Sequence, residues 1–434
     1  MKIRFLGGAR EVGRSCLEVE CSSTRILMDA GVNLGQGDKY PLDPSGPVDA
    51  LLITHAHLDH SGYSPKIVKD YDCPIFSLPP TRDLSEILLL DFLNLTPPED
   101  RIFSHEDVMY LKKKERLVDY DTIFMIKNLE FQFFNAGHVL GSAMIYMKGE
   151  GKSLLYTGDL NIVNTRTIRG AKMDLPEVNY LIIESTYGGN QDIHPARKRV
   201  EKKFISDIAQ TIEYGGKVLV PCFALGRAQE VLLTIIDYMD SGVLPKIPTF
   251  IDGMIREVNK IYSIHWFWLR PELRNKIRTL RKSPFEHPYL DEVKSREEII
   301  DINEPYIIVT TSGMLQGGPA LEYLKHLGTK EGNLIYLTGY QVKGTVGREL
   351  LEGRRTITLP STDEVIEIEA DVKFADFSAH ADQVGLINFV SRMKGLEEVI
   401  LVHGEPNKMN DLRRKLESKG LNVYIPSVGE TVLL

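Results

Sequence analysis

His55-Ala56-His57-Leu58-Asp59-His60 packs four side chains of metal-ligand type into six positions. Imidazole and carboxylate are what catalytic zinc takes, with one coordination position left to water. The cluster follows an apolar stretch, 50–54, that predicts a short strand, so it falls on the loop where a sheet presents ligands. On such a loop His55 and His57 converge on one ion, while Asp59 and His60 turn towards a second. So dense a ligand run rarely arises for structural reasons alone.

Six of the eleven histidines fall in four short clusters after apolar runs. His138 follows the strand expected over 131–135, and His403 ends the run 399–402. Asp159 stands in Tyr156-Thr157-Gly158-Asp159-Leu160, after the run 153–157. Taken singly, a strand-end histidine is more often a loop residue than a ligand, and Gly-Asp is an ordinary turn pair. Their joint value is that a two-metal site needs one or two more imidazoles and a bridging carboxylate. Asp29, after 26–28, and Glu184, after 180–183, put carboxylates at similar places; a turn or a cap explains each equally well.

The elements that must position these residues have two textures. Over the first 190 residues the runs 3–6, 15–20, 25–28, 50–54, 131–135, 143–148, 153–157 and 180–183 predict strands, with helices over 84–95 and 105–111. From about residue 187, helix and strand alternate: helices over 195–214, 228–239 and 320–326, and strands over 217–221, 249–251, 306–311 and 333–337. That pattern predicts a parallel, doubly wound sheet. After residue 347 strands return at 355–359, 365–370, 399–402 and 422–425, which suggests one domain inserted in another.

The 434-residue length itself favours two units, and 43% hydrophobic with 26% charged residues is a globular profile. With 52 Lys and Arg against 60 Asp and Glu, the net charge of −8 excludes a general basic field. Any nucleic-acid affinity must come from local patches. Cys16, Cys21, Cys73 and Cys222 form no C-x-x-C pair, which argues against a disulfide framework or a structural zinc module. The start reads as no signal peptide, and no apolar run approaches the ~20 residues of a membrane span. A soluble, cytoplasmic protein without a membrane partner is expected.

Asp29, His55-x-His57-x-Asp59-His60, His138, Asp159 and His403 resemble the metallo-β-lactamase superfamily motifs in their usual order. Glu184 in Ile182-Ile183-Glu184-Ser185-Thr186-Tyr187-Gly188-Gly189, His380 in Phe377-Ser378-Ala379-His380-Ala381-Asp382, and His403 resemble motifs A, B and C of the β-CASP nucleases. Segments 8–15, 223–230 and 311–319 look most like archaeal and bacterial relatives of the cleavage and polyadenylation specificity factor nuclease subunit, and the similarity spans essentially the whole chain. The resemblance implies an α/β protein: an αββα metallo-β-lactamase sandwich over 1–187 and 345–434, with a β-CASP domain, a parallel sheet flanked by helices, inserted at 188–344. RNA is expected to enter where the two meet. Some archaeal relatives carry KH-type RNA-binding modules before the nuclease; the form without KH domains is expected here, leaving RNA selectivity to the nuclease body or a partner.

By the same resemblance His55, His57 and His138 hold one zinc ion, Asp59, His60 and His403 hold another, and Asp159 bridges the two Zn2+ ions. Two ions about 3.5–4 Å apart suit in-line displacement at phosphorus by a water that ionises near neutral pH. His380 is the implied general acid for the leaving 3′-oxygen, Glu184 orients it and keeps it protonated, and Asp29 accepts a hydrogen bond from a ligand. The implied activity is a zinc-dependent ribonuclease leaving 5′-phosphate and 3′-hydroxyl ends, endonucleolytic by first reading. A 5′→3′ exoribonuclease of the ribonuclease J type is the near rival, since it shares every catalytic group. Small-molecule hydrolysis is disfavoured by the insert with Glu184 and His380, and a non-catalytic RNA-processing scaffold by the complete ligand set.

Ser312 and Gly313, with Gly317-Gly318-Pro319 opening a helix, are candidates for phosphate positioning, as is Ser378. Apart from the resemblance, ordinary turn chemistry is the better reading of such loops. Segment 256–282 interleaves Arg256, Lys260, Arg270, Arg274, Lys276, Arg278, Arg281 and Lys282 with Tyr262, Trp266 and Trp268, as a single-strand groove would. A helix with buried rings and solvated charges gives the same pattern. Lys112-Lys113-Lys114 reads as a solvated face. Single-stranded RNA is the expected partner, with a homodimer and RNA-processing proteins as open alternatives.

Overall fold

The computed structural model describes residues 1–35, 37–360 and 362–434. Contacts divide the chain into two units: Met1–Asn164 with Ile168–Ile193 and Ala379–Leu434, and Thr165–Thr167 with His194–Ser378.

The first unit holds two seven-stranded sheets. One runs, in spatial order, Thr431–Leu433, Lys2–Gly7, Cys16–Cys21, Thr24–Met28, Ala50–Leu52, Ile75–Ser77 and Glu115–Leu117. The other runs Val423–Tyr424, Glu398–Val402, Tyr180–Glu184, Lys152–Tyr156, Ala143–Gly149, Leu129–Asn135 and Ile123–Ile126. Strand Tyr180–Glu184 is flanked on both sides by parallel partners, Lys152–Tyr156 and Glu398–Val402.

Side-chain alternation explains the layering. Leu181 and Ile183 share a core with Phe389 and Leu412, from helices Gln383–Val390 and Pro406–Glu417. Leu27, Leu51 and Ile75 do the same with Ile67 and Val68 of helix Ser64–Tyr71. The opposite faces meet each other, as where Phe76 of one sheet stacks on Phe124 of the other at 5.2 Å. Helices therefore cover the outer face of each sheet, an αββα sandwich. Strands buried on both faces read as unbroken apolar runs, which is why Tyr180–Glu184 shows no period-two signal.

The second unit holds a six-stranded sheet in the order Leu290–Glu292, Thr249–Ile251, Ile307–Thr310, Val218–Pro221, Leu334–Thr338 and Asp371–Ala375, with every pairing parallel. A hairpin, Thr356–Thr358 with Val365–Glu367, stands apart from it. The contact units change at 193/194 and 378/379, where the sequence suggested 187/188 and 344/345. The reason is pairing: Asp371–Ala375 adds to the edge of the inserted sheet beside Leu334–Thr338. Ile357, Leu359, Ile366 and Ile368 complete that unit's core against Leu321 and Leu324. Among the described residues no helix is long and apolar enough to cross a membrane.

Candidate metal centre

The side chains singled out in the sequence leave the ends of neighbouring strands of the first unit. His55 and His57 follow Ala50–Leu52, and Asp59 and His60 ride on the short helix Leu58–Ser61. His138 lies in the loop after Leu129–Asn135, Asp159 after Lys152–Tyr156, Glu184 at the end of Tyr180–Glu184, and His403 directly after Glu398–Val402. Two glycines make the turns feasible. A Cβ on Gly137 (φ +73) would stand 2.2 Å from the Asn161 carbonyl oxygen, and one on Gly158 (φ +52) would stand 2.7 Å from Thr54. His403 itself takes a left-handed φ of 48°. Its amide donates to the Gly8 carbonyl at 2.6 Å, and the Gly404 amide donates to that of Glu11 at 3.0 Å. The 8–15 motif therefore braces the loop that carries His403.

The ligand-type atoms converge in two groups, His55, His57, His138 and Asp159 in one, and Asp59, His60 and His403 in the other; Asp159 also meets Glu184 and His380 in a third set. In the first, His57 Nδ1 is 3.2 Å from His55 Nε2 and 3.1 Å from His138 Nε2. Asp159 Oδ2 lies 3.5 and 3.4 Å from the same two Nε2 atoms. Asp159 Oδ1 faces the other group, 3.2 Å from His60 Nε2, while His403 Nε2 is 3.3 Å from Asp59 Oδ2. A tetrahedral ion with bonds of about 2.0–2.1 Å sets its ligands about 3.3–3.4 Å apart. The separations therefore match the edges of a coordination polyhedron. Asp159 Oδ1 and His403 Nε2 are buried with no hydrogen-bond partner among the described residues, as metal-directed atoms are. The residues fit a metal.

The electrostatics point the same way. Burial, then the neighbouring His55, pushes His57 down to about 3. Burial also lowers His55 and His138, so these three imidazoles are neutral lone-pair donors near pH 7. Burial opposes charge on His60 and Asp159 as well. There it is outweighed: Asp159 and Asp29 raise His60, and His60 and His403 hold Asp159 well below the usual carboxylate range. This half of the cluster stabilises positive charge.

Asp29 is fully buried and supports the ligands from behind. Its carboxylate accepts from the Thr54 amide at 2.8 Å and the Thr54 hydroxyl at 2.9 Å. The Tyr156 hydroxyl (2.9 Å) and His60 Nδ1 (2.7 Å) complete its partners. Tyr156 and Thr54 went unnoticed in the sequence, because a hydroxyl in an apolar strand carries no local signal. His138 is oriented by the Ala379 carbonyl, 2.8 Å from Nδ1, a backbone partner that no side-chain pattern reveals.

His380 and Glu184 sit beside the first group. His380 Nδ1 faces Glu184 Oε1 and Oε2, and Nε2 lies 3.9 Å from Asp159 Oδ2. Ser312, Gly313 and Ser378 belong to the second unit. The Ser312 hydroxyl closes its own loop, donating to the Gly317 carbonyl and accepting from the Gln316 amide. Gly313 lies against the Cys222–Phe223 backbone, and the Ser378 amide donates to Asp376 Oδ1 at 3.0 Å. Tyr262 is fully buried and so no stacking platform; in its neighbourhood Phe267, 68% exposed, is the open ring.

Three family models match: the metallo-β-lactamase superfamily over 10–208, the Beta-Casp domain over 228–350, and the Zn-dependent metallo-hydrolase RNA specificity domain over 365–426. The chain is 42% identical to the RNase J-like protein of Methanocaldococcus jannaschii, covering 93% of this chain and 92% of that one. The chain belongs to the β-CASP ribonucleases of the metallo-β-lactamase superfamily. It is therefore a metal-dependent RNA hydrolase. It is also 38% identical to transcription termination factor FttA of Pyrococcus abyssi, over all of this chain and 71% of that one. The fold alone recurs in a crystal structure of a protein of unknown function from Enterococcus faecalis V583, with a TM-score of 0.61 at 13% identity, covering 100% of this chain and 99% of the other. Within this β-CASP ribonuclease, the two ligand groups joined by Asp159 are the residues able to hold the metal.

Proposed function

We propose that the chain cuts single-stranded RNA internally with two zinc ions, leaving 5′-phosphate and 3′-hydroxyl ends. The observation that carries the two-ion reading is that Asp159 turns one oxygen to each ligand group. His55, His57 and His138 would hold one ion, Asp59, His60 and His403 the other, with Asp159 between them. When bound, such ions supply a water that ionises near neutral pH and offset charge on the phosphate. Glu184 accepts from the Leu160 amide at 2.6 Å and from His380 Nδ1, which leaves His380 Nε2 to carry the exchangeable proton. That proton goes to the leaving 3′-oxygen. Asp29 keeps His60 in the tautomer whose Nε2 lone pair faces the cluster. An RNA substrate is also the reason to place the protein in the cytoplasm.

The name of the M. jannaschii relative favours a second reading, 5′→3′ exonucleolytic removal. Incubation with internally labelled and 5′-end-labelled RNA separates the two. Internal fragments of discrete length support endonucleolytic cutting, whereas 5′-label released only as mononucleotide makes the enzyme an exonuclease.

A further inference from the structure

We propose that the inserted unit carries a second RNA contact, a groove that takes a single-stranded segment of the substrate; this rests on RNA being the substrate. The groove, of about 820 Å³, is lined entirely by residues 251–292 of the second unit and includes none of the metal-ligand residues.

Helix Ile255–Ile264 has two faces. Ile255, Val258, Ile261 and Tyr262 are buried in the unit, while Asn259, Lys260, Ser263 and Ile264 line the groove. The far wall is the segment from Lys282 to His287, and Phe285 and Leu290 supply apolar lining. Lys260 and Lys282 are exposed, and neither makes an ion pair among the described residues. Nearby, Arg256 is neutralised by Glu257 and Lys276 by Asp237, whereas Arg278 and Arg281 likewise make no ion pair among the described residues. Arg256 and Glu292 also line the groove and pair with each other at 3.8 Å, which leaves the two lysines against Glu286 alone.

The wall also holds a directed donor. Asn259 is 7% exposed, and its Oδ1 accepts from Gln229 Nε2 at 2.9 Å, which fixes the amide. Its Nδ2 finds no acceptor among the described residues and is available to the groove. At the end of the same helix Ile264, 70% exposed, lines the groove; Phe267, 68% exposed in the next turn and outside that lining, has the Arg274 guanidinium 5.6 Å from its ring. Uncompensated cations for phosphates, an oriented donor for a base edge and open apolar surface for stacking are the components of a single-strand site. An acidic protein segment would use the lysines but leave the ring and the amide without a role.

The test is Lys260→Glu/Lys282→Glu, with Phe267→Ala beside it. Binding of long unstructured RNA is followed by anisotropy in a His380→Ala background, and cleavage in the otherwise wild-type enzyme. The expected result is roughly tenfold weaker binding of long RNA and a salt slope smaller by about 1.4, two phosphate contacts at about 0.7 each. Cleavage of a short oligonucleotide should be unchanged, and photo-crosslinks from long RNA should map to 256–292. Unchanged affinity and salt slope in an enzyme that cleaves RNA would overturn the groove. So would lost capture of an acidic peptide with RNA binding intact, which assigns the groove to a protein. If the wild-type enzyme cuts no RNA at all, it is the substrate reading that fails.

Discussion

Glu184 presents both carboxylate oxygens to Nδ1 of His380, at 2.9 and 3.0 Å. The pair joins Asp159 in a third set of ligand-type atoms; in the proposed division it delivers the proton while the seven ligand residues hold the metal. Replacing His380 by Ala should lower cleavage by about 10²–10⁴-fold while metal content stays at the wild-type level. His403→Ala should instead lower metal occupancy. Elemental analysis beside single-turnover rates checks both, and equal metal loss in the two variants would show the division to be wrong.

Asp29 lies behind His60 and supports it through the 2.7 Å contact to Nδ1. Asp29→Asn should weaken metal affinity about 10–100-fold, as loss of an outer partner does. Tyr156→Phe removes one donor to the same carboxylate and should cost about 1 kcal/mol of stability with metal retained. Chelator competition and thermal unfolding read the two effects. Full metal affinity in the Asn variant would contradict the role given to Asp29.

Chelation should abolish activity and lower Tm together, because a ligand bound only by the folded state adds to its stability. Reloading should saturate at about two zinc equivalents, since seven ligand side chains exceed what one tetrahedral ion uses. Titration to a single equivalent with full activity would contradict the two-ion reading.

Glu115 provides a pH test away from the site. Burial raises its carboxyl to about 7, against the Ser77 hydroxyl bond, and Oε2 has no partner. The folded state then holds a proton that the unfolded chain releases from about 4.5, so stability falls as pH rises from about 4.5 to 7 and the penalty is complete above that. It is on the order of 3 kcal/mol. Glu115→Gln should flatten this part of the stability curve relative to wild type in denaturant melts between pH 5 and pH 8. Parallel curves would place the titration elsewhere.

The ligand cluster was legible because its chemistry is dense in sequence: four ligand-type residues in six positions leave few other readings. The apolar strands before Asp159 and His403 were legible because they are buried on both faces, and the one before His138 by its alternation of buried rings with half-exposed polar residues. The edges were not. Glu115–Leu117 and Asp371–Ala375 are half exposed, so neither periodicity nor apolar content marks them, and only pairing with Ile75–Ser77 and Leu334–Thr338 defines them. Phe267 and Tyr262 show the same limit on one short segment: the sequence could not say which ring faced solvent.

Strand Glu398–Val402 pairs residue for residue with Tyr180–Glu184, so His403 reaches Asp159 only after more than two hundred intervening residues have been made. Loop closure over such a distance is slow and comes late. A growing chain on the ribosome therefore carries His55, His57, His60 and His138 long before the strand that delivers the last ligand emerges. Until residue 403 has emerged, the group of Asp59 and His60 lacks its third member, so the cluster is incomplete in every shorter nascent chain.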